Sequence, residues 1–190
     1  MGKRVAAEIK KMDFIFENSS VMVVANRNSS EIKLAGMGLG PFEEGNEYEI
    51  CRWAALELQK TGMAHFREDE GMDSAKLNKI QWTERVQTAG QISKLPDDLY
   101  PKARRYLTEL KKEIAKAPER MRDYERVKQL TQDIVNSRLK KIIAIASSPS
   151  RTEQMLKNLT EEERFLYEKL YRLISEWRSD ILECAEEIEQ

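Results

Sequence analysis

Few side chains in this chain are of a type that does chemistry, and their spacing decides how each is read. The single histidine, His65, and the two cysteines, Cys51 and Cys184, are the candidates for base and nucleophile. A Cys51/His65 pair can be drawn, with the imidazole taking the thiol proton. Cys51, however, falls near the start of an amphipathic helix, where a small buried residue is expected, and His65 sits at the end of a short strand or on the surface. One histidine cannot build a His-based metal cluster, and the cysteines lie 133 positions apart (184 − 51). Glu161, Glu162 and Glu163 offer three carboxylates for a divalent metal, but acids in the first turn of a helix offset its dipole. The segment GMGLGPF at 36–42 gathers Gly36, Gly38 and Gly40 as a phosphate cradle does. The Lys-Ser/Thr pair of such a loop is missing, and Pro41 removes a backbone donor, so a turn between strand and helix is expected. No catalytic residue, metal ligand or cofactor is expected.

Two charged sets remain. Lys102, Arg104, Arg105, Lys111, Lys112 and Lys116 could follow nucleic-acid phosphates, yet acids at 97, 98, 109 and 113 are interleaved, as on a solvated helix face. Asp133, Arg138 and Lys141 share or border the apolar stripe of the segment 124–146, whose apolar positions are Tyr124, Val127, Leu130, Ile134, Leu139, Ile142 and Ile145. Asp133 and Arg138 lie about 140° apart on a helix, so they do not pair with each other. Each is expected to reach a neighbouring helix, with Glu161–Glu163 or Asp97/Asp98 as partners; the alternative is three unrelated surface charges.

The elements that must position these groups fall into two kinds. From 12 to 66 the chain carries short β-prone runs, Asp13–Phe16, Val21–Val24 and Glu31–Leu34, separated by turn compositions. A glycine-rich loop follows, then a helix over 50–60 with Trp53, Ala54, Leu56 and Leu58 apolar, and a last strand at 64–66. The charged linker 67–73 leads to helices only. One is capped by Asp73 or Ser74 and runs to about Thr88, with Leu77, Ile80, Trp82 and Val86 on or near one stripe. The next begins after Pro96. The central helix, 124–146, loses its polar face towards Ala146, so its last two turns are expected to be covered on every side. The fourth starts at a capping box, Thr160 with Glu163, and runs to about Ile188. The expected fold is mainly α: a small N-terminal α/β module (1–66), a linker (67–73) and a C-terminal antiparallel helical bundle (74–190).

At 190 residues, 34% charged and 41% hydrophobic, the chain suits a soluble helix-rich protein with one ordinary domain and one small one. Its 32 basic and 33 acidic residues nearly cancel, which argues against a stand-alone DNA binder, since phosphate binding is driven by counterion release. Two distant cysteines, no signal-peptide core and no span of about 20 apolar residues point to a reducing, cytoplasmic setting without membrane contact.

Three segments in order resemble the GINS family of replication factors: GLGPFEEGNEYEICRWAALELQKTG, LPDDLYPKARRYL, and VKQLTQDIVNSRLKKIIAIA followed by LTEEERFLYEKL. The small domain precedes the bundle, which is the order of one GINS subunit class. LTEEERFLYEKL and LPDDLYPKARRYL also resemble the other class, whose order is reversed. Compactness is a trait shared with archaeal members. The resemblance implies a non-catalytic, nucleoid-associated subunit of a homo- or heterotetramer that binds and activates the MCM helicase together with a RecJ-type partner, DNA contact being weak or indirect. It places Gly40, Pro41, Phe42 and Trp53 in the turn and core of the small domain. It makes Tyr124, Asp133, Ile134, Arg138, Lys141, Trp177, Ile181 and Leu182 the expected subunit interface, with aromatic and aliphatic anchors carrying the contact. The alternative function is a nucleic-acid-binding module using the basic helix 102–116 or the small domain.

Overall fold

A computed structural model describes residues 2–67, 70–87, 91–148 and 153–186, with side chains from residue 5 to residue 182. Its contacts divide the chain into two units, Met1–Met72 and Asp73–Gln190.

The first unit begins with helix α1 (Gly2–Glu17). The run Asp13–Phe16, expected as a strand, is its last turn. Ala, Glu and Lys upstream favour helix, and Ile9, Met12 and Phe16 recur at helical spacing on the covered side while Phe14 and Ile15 are exposed. Strand β1 (Ser20–Ala25) alternates strictly, with Val21, Val23 and Ala25 buried. Strands β2 (Ile32–Leu34) and β3 (Met37–Leu39) form a hairpin turned by Ala35 and Gly36, both at positive φ, where the sequence suggested loop after residue 34. Strand β4 (Glu47–Cys51) continues directly into helix α2 (Arg52–Lys60), and β5 (Ala64–Phe66) closes the unit. β1 is the central strand, antiparallel to β4 and β5. α2 lays Ala55 and Leu58 on the sheet, and Phe42 completes the core with its ring edge against Tyr48 at 4.8 Å. Gly40, at φ +98°, and the exposed Pro41 deliver Phe42 into that core. Trp53, expected there too, is only half-buried, because the inward positions of α2 are Arg52, Ala54, Ala55 and Leu58. Arg52 is buried with its guanidinium 4.2 Å from the Phe16 ring centre and 3.1 Å from Glu70.

The second unit is helical. Asp73 caps α3 (Ser74–Val86) by accepting a bond from the Lys76 amide at 2.7 Å. After the segment 91–98, which buries Ile92 and Leu95, come α4 (Leu99–Ile114), a 3₁₀ turn (Pro118–Arg120), the central α5 (Met121–Ser147), a short α6 (Glu153–Lys157) and α7 (Glu161–Glu186). α4 and α5 form an antiparallel hairpin through the turn at Pro118. α3 departs from that arrangement: Gln81, Glu84 and Gln87 meet Asp133, Arg138 and Lys141 in ascending order, so it runs the same way as α5. Ile142, Ile145 and Ala146 of α5 pack with Leu159, Tyr167 and Ile92. Two expectations are corrected. Trp82 and Val86 lie outside the buried face of α3, which is centred on Leu77 and Glu84. The last turns of α5 are not covered all round either: Val135, Leu139 and Ile143, one turn apart, remain exposed.

Phe42 is the largest side chain closing a core that a unit of this size can barely afford to lose. Phe42→Ala is expected to cost about 3–5 kcal/mol and to unfold the first unit while the bundle keeps its own thermal transition, as followed by calorimetry and amide NMR spectra.

Candidate functional site

The densest chemistry in the chain is a buried charge network at the middle of the bundle. α5 supplies Arg138 and Lys141, at 0% and 4% exposure; α3 supplies Glu84 and α7 supplies Glu163, at 2% and 3%. Two cations thus face two carboxylates. Arg138 donates through Nε to Glu163 Oε1 at 2.7 Å and through Nη2 to Oε2 at 2.6 Å, a two-pronged pairing that suits a planar guanidinium. Its remaining N–H groups reach Glu84 Oε1 at 3.2 Å, the Ser93 carbonyl at 2.8 Å and the Asn158 carbonyl at 3.2 Å. All five donors have an acceptor. Lys141 Nζ has three acceptors: Glu84 Oε2 at 2.8 Å, the Glu84 carbonyl at 3.2 Å and Gln87 Oε1 at 3.3 Å.

The carboxylates are equally complete. Glu163 also accepts from Tyr100 Oη at 2.7 Å and from the Thr160 amide at 3.1 Å, while its own amide donates to Thr160 Oγ1 at 3.4 Å. The capping box at 160–163 is therefore part of the network, and one carboxylate serves both the helix start and the ion pair. Ser93 Oγ donates to Glu84. Burial alone would lower the Arg138 pKa, but the hydrogen bonds and charge of Glu163, with Glu84 behind them, raise it, and the guanidinium stays charged. Tyr100 is pushed well above its ordinary value near 10, first by burial and then by the charge and hydrogen bond of Glu163.

This geometry holds helices together and offers no reacting group. Every polar atom of Arg138, Lys141 and Glu163 is consumed by a partner in the same chain. Arg138, Lys141 and the buried Ile134, expected at a subunit contact, are therefore inside their own bundle and inaccessible to a second chain. Arg138 does reach one of the acids suggested for it, Glu163, whereas Asp98 pairs with Lys102 at 2.7 Å. Asp133 accepts from Gln81 at 2.8 Å and from Gln129 at 2.9 Å, tying α5 to α3. Tyr124 is half-buried beneath Lys128.

The nucleophile and metal readings are not supported by position. Cys51 pairs with Ser20 and His65 with Val24, so they lie on opposite edges of the sheet with β1 between them. Among the described residues no group of three or more His, Cys, Asp or Glu is placed to hold a metal ion, and no helix there is long and apolar enough to cross a membrane. On α4 the first three cations of the basic run meet acids: Lys102 with Asp98, Arg104 with Glu162 at 3.4 Å, and Arg105 with Glu109 at 3.3 Å.

The exposed surface of the bundle is of a different kind. Leu166, Leu170 and Ile174 of α7 pack against α5, which ends at Ser147, where its carbonyl accepts from Arg178 at 2.8 Å. The same helical stripe continues to Trp177 and Ile181, and there nothing among the described residues covers it: Trp177, Ile181 and the adjacent Leu182 are 62%, 54% and 67% exposed.

The chain has a small sheet unit first and a helical bundle second. Residues 71–182, more than half of the chain, match the GINS complex protein helical bundle domain, and residues 8–66 match the PSF2 N-terminal domain. The chain belongs to the GINS family. It is similar to the DNA replication complex GINS protein PSF2 of Homo sapiens, 28% identical over 158 residues, covering 82% of this chain and 80% of the human one. The PSF2 protein of Xenopus laevis is 25% identical over 141 residues (74% and 72%). A probable PSF2 protein of Caenorhabditis elegans is 27% identical over 146 residues (76% of each). This is a GINS complex subunit of the class in which the small domain precedes the bundle.

Sequence reasoning passed over Glu84, Ser93, Tyr100 and Asn158. For Glu84 a signal existed: it lies two turns after Leu77 on the same face, where an acid is out of place unless it is paired. Ser93 and Asn158 contribute from connecting segments, where no periodicity marks them.

Removing one member of the network strands the others. Arg138→Met is expected to destabilise the bundle by about 3–5 kcal/mol, measured by urea unfolding, because Glu163 and Glu84 are left buried without their cation. A second expectation concerns alkaline pH. The folded chain keeps the Tyr100 proton that the unfolded chain releases above about pH 10, so the stability tied to that proton is whole below pH 10 and declines as pH rises past it. Tyr100→Phe should therefore be less stable than the parent by about 1.5–3 kcal/mol at pH 7, with the gap narrowing at pH 10–11. A gap that is constant with pH would contradict the assignment.

Proposed function

We propose that this chain is a non-catalytic structural subunit of a four-chain GINS assembly, homo- or heterotetrameric, that binds and activates the MCM helicase together with a RecJ-type partner during chromosomal DNA replication. The observation that carries this reading is the apolar stripe of α7, which outruns the bundle built to cover it. An α-helix that buries one face along its first half and leaves the same face bare along its second half is matched to a surface outside its own chain. Trp177 and Ile181 are the anchors, being large, apolar and one turn apart. The buried network supports the same reading from the other side, because it spends the polar groups of the bundle on rigidity.

The tetramer is tested with Trp177→Ala/Ile181→Ala. Both residues are exposed, so the double variant is expected to change the stability of the bundle itself by no more than about 1 kcal/mol in urea unfolding while light scattering shows a smaller particle. Ile134→Asp is unsuited to this purpose, since it would place a charge in the core. The partner reading is tested by adding the assembled subunit to purified MCM helicase with and without a RecJ-type protein. Faster strand displacement is expected only with an intact assembly, and an unchanged unwinding rate would remove the helicase from the proposal.

A further inference from the structure

The sheet of the first unit ends in an open edge at β4. The strand order is β4-β1-β5, so β4 has a strand on one side alone. Antiparallel strands exchange backbone bonds through alternate residues, and the flanking bonds fix which ones. The Arg52 amide donates to the Ser19 carbonyl at 2.9 Å and the Ala25 amide to the Asn46 carbonyl at 3.0 Å. The backbone groups of Tyr48 and Ile50, opposite Val23 and Val21, therefore face β1. The N–H and C=O of Glu47 and Glu49 and the N–H of Cys51 point the other way, and no described residue bonds to them. The side chains along this edge alternate too. Glu47 and Glu49 are exposed on one face, while Tyr48 and Ile50 are partly buried against the core on the other.

The charge along this edge is of one sign. From Phe42 to Cys51 the chain carries Glu43, Glu44, Glu47 and Glu49 and no basic residue. Glu43 and Glu44, just before β4, line an open cleft with Asn28, Ser29, Ser30 and Phe42. The cations of the sheet and its loops are engaged elsewhere or balanced. Arg67 forms an exposed pair with Glu47 at 3.5 Å, and Arg52 is buried on Glu70. Arg27 turns to Met63 and the Thr61 carbonyl, and Lys60 pairs with Glu57. Lys33 of β2 stands two residues from Glu31, and Lys10 and Lys11 of α1 are followed by Asp13 and Glu17 where that helix leads into β1. Glu44 and Glu49 have no ion pair among the described residues.

We infer that β4 accepts, as an added strand, an extended segment of a partner protein in which Lys or Arg alternates with apolar residues. Such a segment satisfies the outward backbone groups of Glu47, Glu49 and Cys51. Its basic side chains stand beside Glu47 and Glu49, and its apolar ones lengthen the core face beside Tyr48 and Ile50. Acids on a short edge strand also protect it, since a second copy of β4 would set carboxylates against carboxylates. A cationic strand is the occupant this protection admits. The contact lies within the first unit and does not depend on the tetramer.

The test is an NMR titration of the full chain with a short synthetic peptide alternating Lys and Val. Hydrogen exchange at the Glu47, Glu49 and Cys51 amides is expected to slow on binding. Two further peptides carry the same charge, one N-methylated at every Lys amide and the other at every Val amide. Only one set of amides faces β4, so one of the two is expected to bind at least about tenfold more weakly and the other as the parent peptide does. The variant Glu47→Lys/Glu49→Lys is expected to bind the parent peptide at least about tenfold more weakly, and the methylated peptides serve if it fails to fold. Binding shared equally by both methylated peptides, or binding that leaves the three amides unprotected, would overturn strand addition in favour of cations gathered loosely by acids. Equal binding of a peptide alternating Glu and Val would overturn the basic partner. A Lys-Val peptide that does not bind would overturn the proposal outright. Protection that rises with protein concentration alone would do the same by giving the edge to a second copy. None of these outcomes bears on the subunit reading, which the Trp177/Ile181 and helicase experiments judge separately.

Discussion

The bundle depends on one ion pair, Arg138 with Glu163. A guanidinium and a carboxylate removed from water each lose a large hydration energy, and their mutual attraction repays it only when the remaining donors and acceptors are also matched. Here the matching is complete for Arg138, and its acceptors come from four separate stretches of chain: Glu84 on α3, Ser93 in the connection before α4, Asn158 before α7, and Glu163 on α7 itself. A single side chain thereby ties together segments that are far apart in sequence. An apolar core of the same volume would hold the helices with comparable energy, whereas a set of directional bonds that must all be made at once also fixes how the helices meet.

The same network sets the orientation of the helix that leaves apolar surface bare. α7 is fixed in rotation by Glu163 and Thr160 at its first turn and by Arg178 on the Ser147 carbonyl further along. The face it buries along its first half continues, exposed, past the end of α5. The two-unit organisation follows similar logic, with a small sheet domain that keeps its own core of Val21, Val23, Phe42 and Leu58.

Much of this was legible in the residues, for definite reasons. The helices of the bundle follow from apolar spacing of 3.6, and the start of α7 from Thr160 and Glu163, because capping chemistry is local. The oddity of Arg138 and Lys141 on an apolar stripe was visible too, and so was the remedy of a partner on another helix. What could not be read was where those partners lay. Glu84 sits 54 positions before Arg138, and only folding brings it near, so charges that a one-dimensional pattern assigns equally well to a neighbouring chain turn out to be internal. The first helix was misread for the opposite reason. Phe14, Ile15 and Phe16 favour a strand when taken as a triplet, but the helix-forming residues upstream and the burial of Phe16 alone among the three decide for α1. Trp82 and Trp53 show a further limit: the periodic pattern puts an aromatic residue on a buried stripe whether or not the fold covers it, and these two are exposed and half-buried.

One consequence of Glu163 reaches beyond the network it completes. It lies in the first turn of α7, and Trp177 lies fourteen residues later, about 21 Å along the axis. A helix is stiff over that length, so the angle at which it leaves its first turn determines the compass bearing of everything further out. The carboxylate that accepts from the Thr160 amide and from Arg138 thus acts as the breech of a long barrel: it aims, from deep inside one chain, the side chains with which that chain would meet the next.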